Sequence, residues 1–158
     1  MKSFIVNPVG EIRIRGGEMY IELDQKYIPG LKELGGFSHV NVVWWFDGYD
    51  TAEARNQLQD LQPYKNAPDE MGVFATRSPI RPNPIALTAS QIMAIDDEEG
   101  VIQIAYIDAN DHSPVLDLKP YTPSLDRVER PEVPLWCRDW PKSMEESAAF
   151  DWSQVFNF

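Results

Sequence analysis

Hydrophobic and polar residues alternate along short segments of this chain, which is the pattern of β-strands with one buried face. From Gly10 to Arg15, and again from Glu18 to Leu23, apolar side chains occupy every second position, and Gly16-Gly17 separates the two runs. This arrangement predicts a β-hairpin. The run from His39 to Phe46 is almost continuously apolar and predicts a central strand buried on both faces.

Weaker versions of the same pattern predict the remaining elements. Further strands are expected at residues 4–6, 73–74, 85–95, 101–107 and 115–118, a helix at 51–61, and a short capped helix or turn after Ser143. Many strands with few helices favour a mainly antiparallel sheet curled into a barrel. We therefore expect a mainly β fold, a single small β-barrel with one or two short helices, over residues 1–128.

The last part of the chain, residues 129–158, is punctuated by proline and rich in aromatic residues. It predicts an extended aromatic tail that packs on the same domain. The expected packing anchors are Trp136, Trp140, Phe150, Trp152, Phe156 and Phe158.

Composition narrows the class of protein. The chain has 158 residues, which fits one domain, and a net charge of −11, which argues against a general nucleic-acid binder but not against a local site. The single cysteine, Cys137, excludes an internal disulfide and, with two histidines, argues against a structural zinc site, so no metal is expected. No apolar run is long enough for a signal peptide or a membrane span, and we expect a soluble cytoplasmic protein.

One proline-rich stretch carries most of the chemical interest. Three prolines fall within the six positions from Pro79 to Pro84, and they hold Arg77, Arg81 and Asn83 on a rigid, non-helical loop between two strands. We call residues 77–84 the Arg-Pro loop. No acidic residue occurs from Met71 to Met93, in a chain that is otherwise strongly acidic. The loop is either a positive binding platform or a stiff crossover whose arginines pair with nearby acids.

A second cluster of polar residues follows the predicted strand at 101–107. It comprises Asp108, Asp111, Asp117, Lys119 and Tyr121. Asp117 and Lys119 are two positions apart and share one face of a strand. Such a row can bind a polar ligand or move a proton, and the alternative, which the residues alone favour, is a cross-strand ladder of ion pairs. His112, a single loop histidine, receives no role.

Together the two stretches resemble a known family. Gly72-Val-Phe-Ala-Thr-Arg-Ser-Pro-x-Arg-Pro-Asn-Pro-Ile-x-Leu87, followed by Asp108-x-x-Asp111-x-x-Pro-Val-Leu-Asp-x-Lys-Pro-Tyr121, is similar to the motifs of the TsaA-like, TrmO-type family, and Gly36-Phe-Ser-His39 also matches. The resemblance covers roughly residues 3 to 127. It implies a small β-barrel rather than a Rossmann fold, a homodimer, and S-adenosylmethionine (SAM) as cofactor. The implied reaction is N6-methylation of a threonylcarbamoyl-modified adenosine beside the tRNA anticodon.

The resemblance also implies roles for individual residues. The cofactor contacts would be Phe46, Asp47, Arg77, Leu87, Asp108, Ala109, Asn110 and Asp111. Arg77 could hold a carboxylate bidentately, and Leu87 would pack on adenine. The candidates for orienting the substrate amine are Asp117, Lys119 and Tyr121, and those for substrate or dimer contacts are Arg81 and Asn83.

A tRNA substrate would have to be held by few cations. They are Arg13, Arg15, Lys65, Arg77, Arg81 and Lys119, with the acidic tip Asp96–Glu99 turned away. We therefore expect weak RNA binding that is sensitive to salt.

The chain departs from the family pattern in four places. A tight Arg13–Gly17 turn replaces a longer first loop, Asp111-His-Ser-Pro114 replaces Asp-Gly-Thr-Pro, Ala86 replaces a glycine, and we expect a short form without the separate C-terminal domain. Two alternatives therefore stay open beside the tRNA enzyme. One is a methyltransferase for a small molecule, which the acidity favours, and the other is a SAM-binding module without catalysis.

Overall fold

The computed structural model describes residues 2–157, and six of the eight strands described there close into an antiparallel barrel in the order β1-β2-β7-β6-β3-β8. The strands are β1 (Gly10–Arg15), β2 (Glu18–Leu23), β3 (His39–Trp45), β4 (Gln59–Leu61), β5 (Glu70–Gly72), β6 (Ile85–Asp96), β7 (Val101–Ile104) and β8 (Pro114–Pro120). The strands β4 and β5 form a separate two-stranded sheet. The expected mainly β barrel is confirmed.

Short helices connect the strands. Residues 2–157 contain three α-helices, where one or two were expected. They are α1 (Ala52–Asn56), α2 (Pro123–Asp126) and α3 (Met144–Ala148). Short 3₁₀ helices occupy Gln25–Leu31, Leu34–Gly36, Val73–Ala75, Leu135–Cys137 and Trp152–Gln154. The cap predicted before α3 is confirmed, because the Ser143 hydroxyl accepts the backbone N–H of Glu146 at 3.2 Å. Phe158, one of the expected tail anchors, lies outside the described residues.

The alternating pattern determines which side chains fill the barrel. Ile12, Ile21, Val40, Val42, Ile102 and Val115 are each fully buried and form the centre of the core. On β3 the even-numbered residues point inward, whereas Val43 and Trp45 lie on the outer face and are only partly buried. The expectation that this strand is buried on both faces was therefore wrong, because a closed barrel has a single interior.

Three local predictions were also wrong. Residues 4–6 form no strand, and Phe4 and Ile5 are exposed, because strand pairing of the N-terminal segment begins at Gly10. The helix predicted for 51–61 ends at Asn56, since the next residues pair as β4 with β5. Residues 73–74 lie in a 3₁₀ turn rather than a strand.

The strand register sorts the loops into two ends of the barrel. Trp45 pairs with Ile85, Trp44 with Val115, and Met19 with Ile104. The last residues of β3 and β7, the first residues of β6 and β8, and the β1–β2 turn therefore share one end, which we call the Arg-Pro end. The β6–β7 hairpin, with its acidic tip at residues 96–99, lies at the opposite end, which we call the acidic end.

Candidate functional site

Both arginines of the Arg-Pro loop bond to main-chain carbonyl groups. Arg77 Nη1 donates to the Leu87 oxygen at 3.1 Å, and Arg81 Nη1 donates to the oxygens of Thr76 at 3.3 Å and Ser78 at 3.2 Å. Within residues 2–157 neither guanidinium forms a salt bridge with a carboxylate. The alternative in which nearby acids neutralise these arginines is therefore wrong. Carbonyl groups orient the guanidinium groups but leave both positive charges uncompensated.

The loop is held in shape by its own polar side chains as well as by its prolines. Thr76 is buried, and its hydroxyl accepts the backbone N–H of Ser78 at 3.2 Å and contacts Asp60 Oδ2 at 3.3 Å. Arg55, which forms a salt bridge with Asp50, donates to the Pro82 oxygen at 2.8 Å. Sequence reasoning missed Arg55 and Asp60, because nothing in the local pattern indicates that these positions reach the loop.

Phe46 and Asp47 directly follow β3 at the Arg-Pro end. The backbone N–H of Phe46 donates to the Pro84 oxygen at 2.8 Å, and its ring packs edge-on against Trp44 with the centroids 4.8 Å apart. Asp47 is exposed, and its carboxylate forms no salt bridge within the described residues. Leu87 is 51% exposed on β6, and its carbonyl receives Arg77. Four residues predicted to contact the cofactor therefore lie close to the Arg-Pro loop: Phe46, Asp47, Arg77 and Leu87.

The loop at residues 108–113 reaches the same end from β7. Asp111 Oδ1 accepts the backbone N–H of Ile14 at 2.8 Å and lies 3.4 Å from Arg13 Nε. The Ile14 hydrogen bond, followed by the charges of His112 and Arg13, holds the pKa of Asp111 below its usual value, against the opposing effect of desolvation. Asp111 therefore anchors this loop to β1.

The other three predicted positions of this loop differ in accessibility. Ala109 packs against the core, whereas Asp108 and Asn110 are exposed. No salt bridge of Asp108 occurs among residues 2–157. Asp111 and His112 are paired with Arg13 and Glu11, whereas the exposed Asp108 and Asn110 form no ion pair within the described residues and are open to a ligand.

Asp117 and Lys119 lie on β8, and Tyr121 directly follows this strand. Asp117 and Lys119 form an ion pair with 2.6 Å between Nζ and Oδ2, and this hydrogen bond raises the pKa of Lys119. The backbone N–H of Tyr121 donates to the His39 oxygen at the acidic end of β3. Four strand residues span about 13 Å, so the row runs away from the Arg-Pro end and does not converge there within one chain. The substrate roles of these residues stay predictions.

The six cations expected to contact RNA fall into two groups, those that form ion pairs within the chain and those that do not. Arg13 pairs with Glu11, Glu22 and Asp111, Arg15 pairs with Glu22, and Lys119 pairs with Asp117. Lys65, Arg77 and Arg81 instead donate to main-chain carbonyl groups, Lys65 Nζ to the Ser153 oxygen. Within residues 2–157 these three side chains form no ion pair. The face available to phosphate is smaller than the sequence suggests.

Two cavities lie away from the Arg-Pro end. A cavity of about 320 Å³ opens at the acidic end near Leu31 and Leu118, and one of about 510 Å³ lies beside Trp140 and Phe150 in the tail. The described part of the chain has no group of three or more His, Cys, Asp or Glu side chains arranged to hold a metal ion. It also has no helix of the length and apolarity required to cross a membrane.

Residues 7–127 match the tRNA-methyltransferase O N-terminal domain family, TrmO_N, and the chain belongs to this TrmO, or TsaA-like, family. An S-adenosyl-L-methionine-binding protein of Archaeoglobus fulgidus is 36% identical over 112 residues, which are 71% of this chain and 75% of that protein. A tRNA (adenine(37)-N6)-methyltransferase of Eikenella corrodens is 42% identical over 91 residues, which are 57% of this chain and 51% of that enzyme.

A crystal structure of TrmO shares the fold, with a TM-score of 0.65 and 25% sequence identity over 84% of this chain. The match covers 64% of the TrmO chain, so this chain spans less than two thirds of the solved structure. The resemblance inferred from the two motifs is confirmed.

Proposed function

We propose that this chain is a SAM-dependent methyltransferase that methylates N6 of threonylcarbamoyl-adenosine beside the anticodon of tRNA. One observation carries the proposal: both family motifs place exposed, charged side chains at the same end of a TrmO-type barrel. The name of the Archaeoglobus relative supports SAM as the cofactor, and that of the Eikenella relative supports N6 of a tRNA adenine as the acceptor.

The chemistry of the side chains at this end fits SAM. The cofactor carries an amino acid with both charges, a sulfonium, a ribose and an adenine. Arg77 supplies an uncompensated cation for the carboxylate, and Asp47 and Asp108 supply unpaired carboxylates for the ammonium or the ribose hydroxyls. Leu87 offers an exposed apolar surface to adenine.

SAM, when bound, supplies an electrophilic methyl group: the acceptor nitrogen bonds to the methyl carbon, the carbon–sulfur bond breaks, S-adenosylhomocysteine leaves and the N6 proton is released. The task of the protein is mainly positioning. In this proposal Arg77 holds the cofactor, Arg81 and Asn83 contact the substrate, and Asp117, Lys119 and Tyr121 orient the acceptor amine.

We further propose that the chain acts as a homodimer in the cytoplasm. Phe74 and Ile85 are exposed apolar residues close to the Arg-Pro loop, and a partner surface would cover them. The row along β8 extends away from the Arg-Pro end of its own protomer, and a second protomer could bring such a row to a shared site. The tRNA contact is weak, since few cations are free.

The decisive experiment is nucleoside analysis of tRNA. Purified chain and SAM are incubated with tRNA that carries threonylcarbamoyl-adenosine, and the expected product is the N6-methylated nucleoside. Arg77→Ala should abolish or greatly reduce it, whereas the control Arg130→Ala, which changes an exposed arginine of the tail, should not. SAM binding without a methylated nucleoside would overturn the acceptor assignment and leave a small-molecule enzyme or a cofactor-binding module.

A further inference from the structure

His112 lies in the loop at residues 108–113, and each nitrogen of its imidazole ring faces a carboxylate. Nδ1 lies 3.1 Å from Glu11 Oε2 on β1, and Nε2 lies 3.5 Å from Asp111 Oδ2. A neutral imidazole has one N–H donor and one bare nitrogen, whereas the protonated ring donates from both nitrogens. Carboxylates placed at both nitrogens therefore favour the protonated ring.

The charged side chains around this imidazole ring favour the same protonation state. Arg13 on β1 lies 3.1 Å from Glu11 and 3.4 Å from Asp111. Glu22 on β2 pairs with Arg15 and lies 3.9 Å from Arg13. The cluster thus holds three carboxylates and two arginines, and a proton on the imidazole ring brings its formal charge to zero.

The main chain ties His112 to the part of the loop that carries proposed cofactor contacts. The N–H of Ser113 donates to the Asn110 oxygen at 3.1 Å, so His112 occupies the third position of a four-residue turn that begins at Asn110. The N–H of His112 donates to the Ile12 oxygen at 2.7 Å, which joins the turn to β1. The φ of His112 is 67°, in the left-handed region that glycine adopts more readily than histidine. Histidine therefore has a conformational cost at this position, which its side-chain contacts can offset.

We propose that protonated His112 is a positioning residue that bridges Glu11 and Asp111 and so fixes the turn that presents Asp108 and Asn110 to SAM. The inference rests on the proposed function of this loop as a cofactor contact. Histidine side chains gain their proton as the pH falls through about 6.5. The affinity for SAM should therefore rise over this range, because at higher pH one bare ring nitrogen faces a carboxylate and the bridge is weakened.

The test is isothermal titration of the full chain with SAM at pH 5.5, 6.5 and 7.5, in the wild type and in His112→Gly and His112→Asn. Glycine and asparagine tolerate the left-handed backbone, and neither side chain takes up a proton in this range. The measured quantity is the ratio of the variant and wild-type dissociation constants at each pH, in which the titration of SAM itself cancels. This ratio should be about 2- to 5-fold larger at pH 5.5 than at pH 7.5, the effect of a partly exposed ion pair.

The matched control is His39→Gln, which replaces the only other histidine of the chain, at the acidic end of β3. This variant should keep the pH dependence of the wild type. A ratio that is the same at all three pH values, or a pH dependence that disappears in His39→Gln instead, would overturn the inference while the proposed function stands. If the wild-type chain does not bind SAM at any of these pH values, both the proposed function and the inference are refuted.

Discussion

The guanidinium of Arg77 donates a 3.1 Å hydrogen bond to the main-chain carbonyl of Leu87, ten residues further along the chain. This bond ties the Arg-Pro loop to the strand that follows it. It also leaves the charge of Arg77 without a counter-ion among residues 2–157, and the remaining N–H groups of the guanidinium can still donate to a ligand.

Replacing Arg77 should weaken the cofactor site. A hydrogen bond to a charged group is worth about 1.5–3 kcal/mol, so Arg77→Ala should raise the dissociation constant for SAM by about 10- to 150-fold. Arg77→Lys keeps the charge but not the planar pair of donors, and its affinity for SAM should lie between those of the wild type and Arg77→Ala. Isothermal titration measures the effect, with Arg130→Ala as control. Unchanged affinity in Arg77→Ala would reassign this residue to a structural role.

The chain should be a homodimer at micromolar concentration, as measured by light scattering. Phe74 is 82% exposed beside the Arg-Pro loop, and such an apolar side chain is expected at a contact between protomers. Phe74→Asp should therefore shift the mass towards the monomer. Leu125→Asp, which alters an equally exposed residue on α2, should not. A monomeric wild-type chain would contradict the prediction.

Binding of tRNA should be weak and should decrease steeply as salt rises. Three of the six candidate cations, Arg13, Arg15 and Lys119, are already paired with carboxylates. In the absence of SAM, which would occupy Arg77, each of Lys65, Arg77 and Arg81 can neutralise one phosphate, and the slope of log affinity against log salt should be about −2 to −3. Filter binding over a series of salt concentrations measures this slope. Tight binding that is insensitive to salt would refute the charge argument.

Acid should destabilise the wild-type fold partly through Asp111. Hydrogen bonding to Ile14 lowers the pKa of Asp111 in the folded state, so this carboxylate contributes its full stabilisation above the ordinary aspartate pKa of 3.8. The contribution is lost as the pH falls below that value through the lower folded pKa.

Urea unfolding at pH 7, 4.5 and 3 measures this effect. Asp111→Asn should be less stable than wild type at pH 7, and the difference should shrink at pH 3. The control Asp97→Asn, in the exposed acidic tip, should show no such convergence. A constant difference at all three pH values would show that the charge of Asp111 does not stabilise the loop.

Much of the fold follows from the sequence, because the alternation of apolar residues is local and directly determines which side chains can be buried together. Ile12, Ile21, Val40 and Val42 are recognisable as core positions from their spacing alone, and all are fully buried. The two motifs and their order also identify the family from the sequence alone. The stiffness of the Arg-Pro loop follows from its prolines for the same local reason.

Only the tertiary structure decided which charged groups are neutralised. Arg13 and Arg77 are both arginines beside apolar strands, yet Arg13 meets Asp111 from a loop 98 residues away, whereas Arg77 meets a carbonyl. Strand register likewise placed Tyr121 at the acidic end, and an isolated β-bridge between Phe156 and Tyr64 docked the tail on the loop between β4 and β5. Such pairings depend on how distant segments are brought together, and local periodicity carries no information about that.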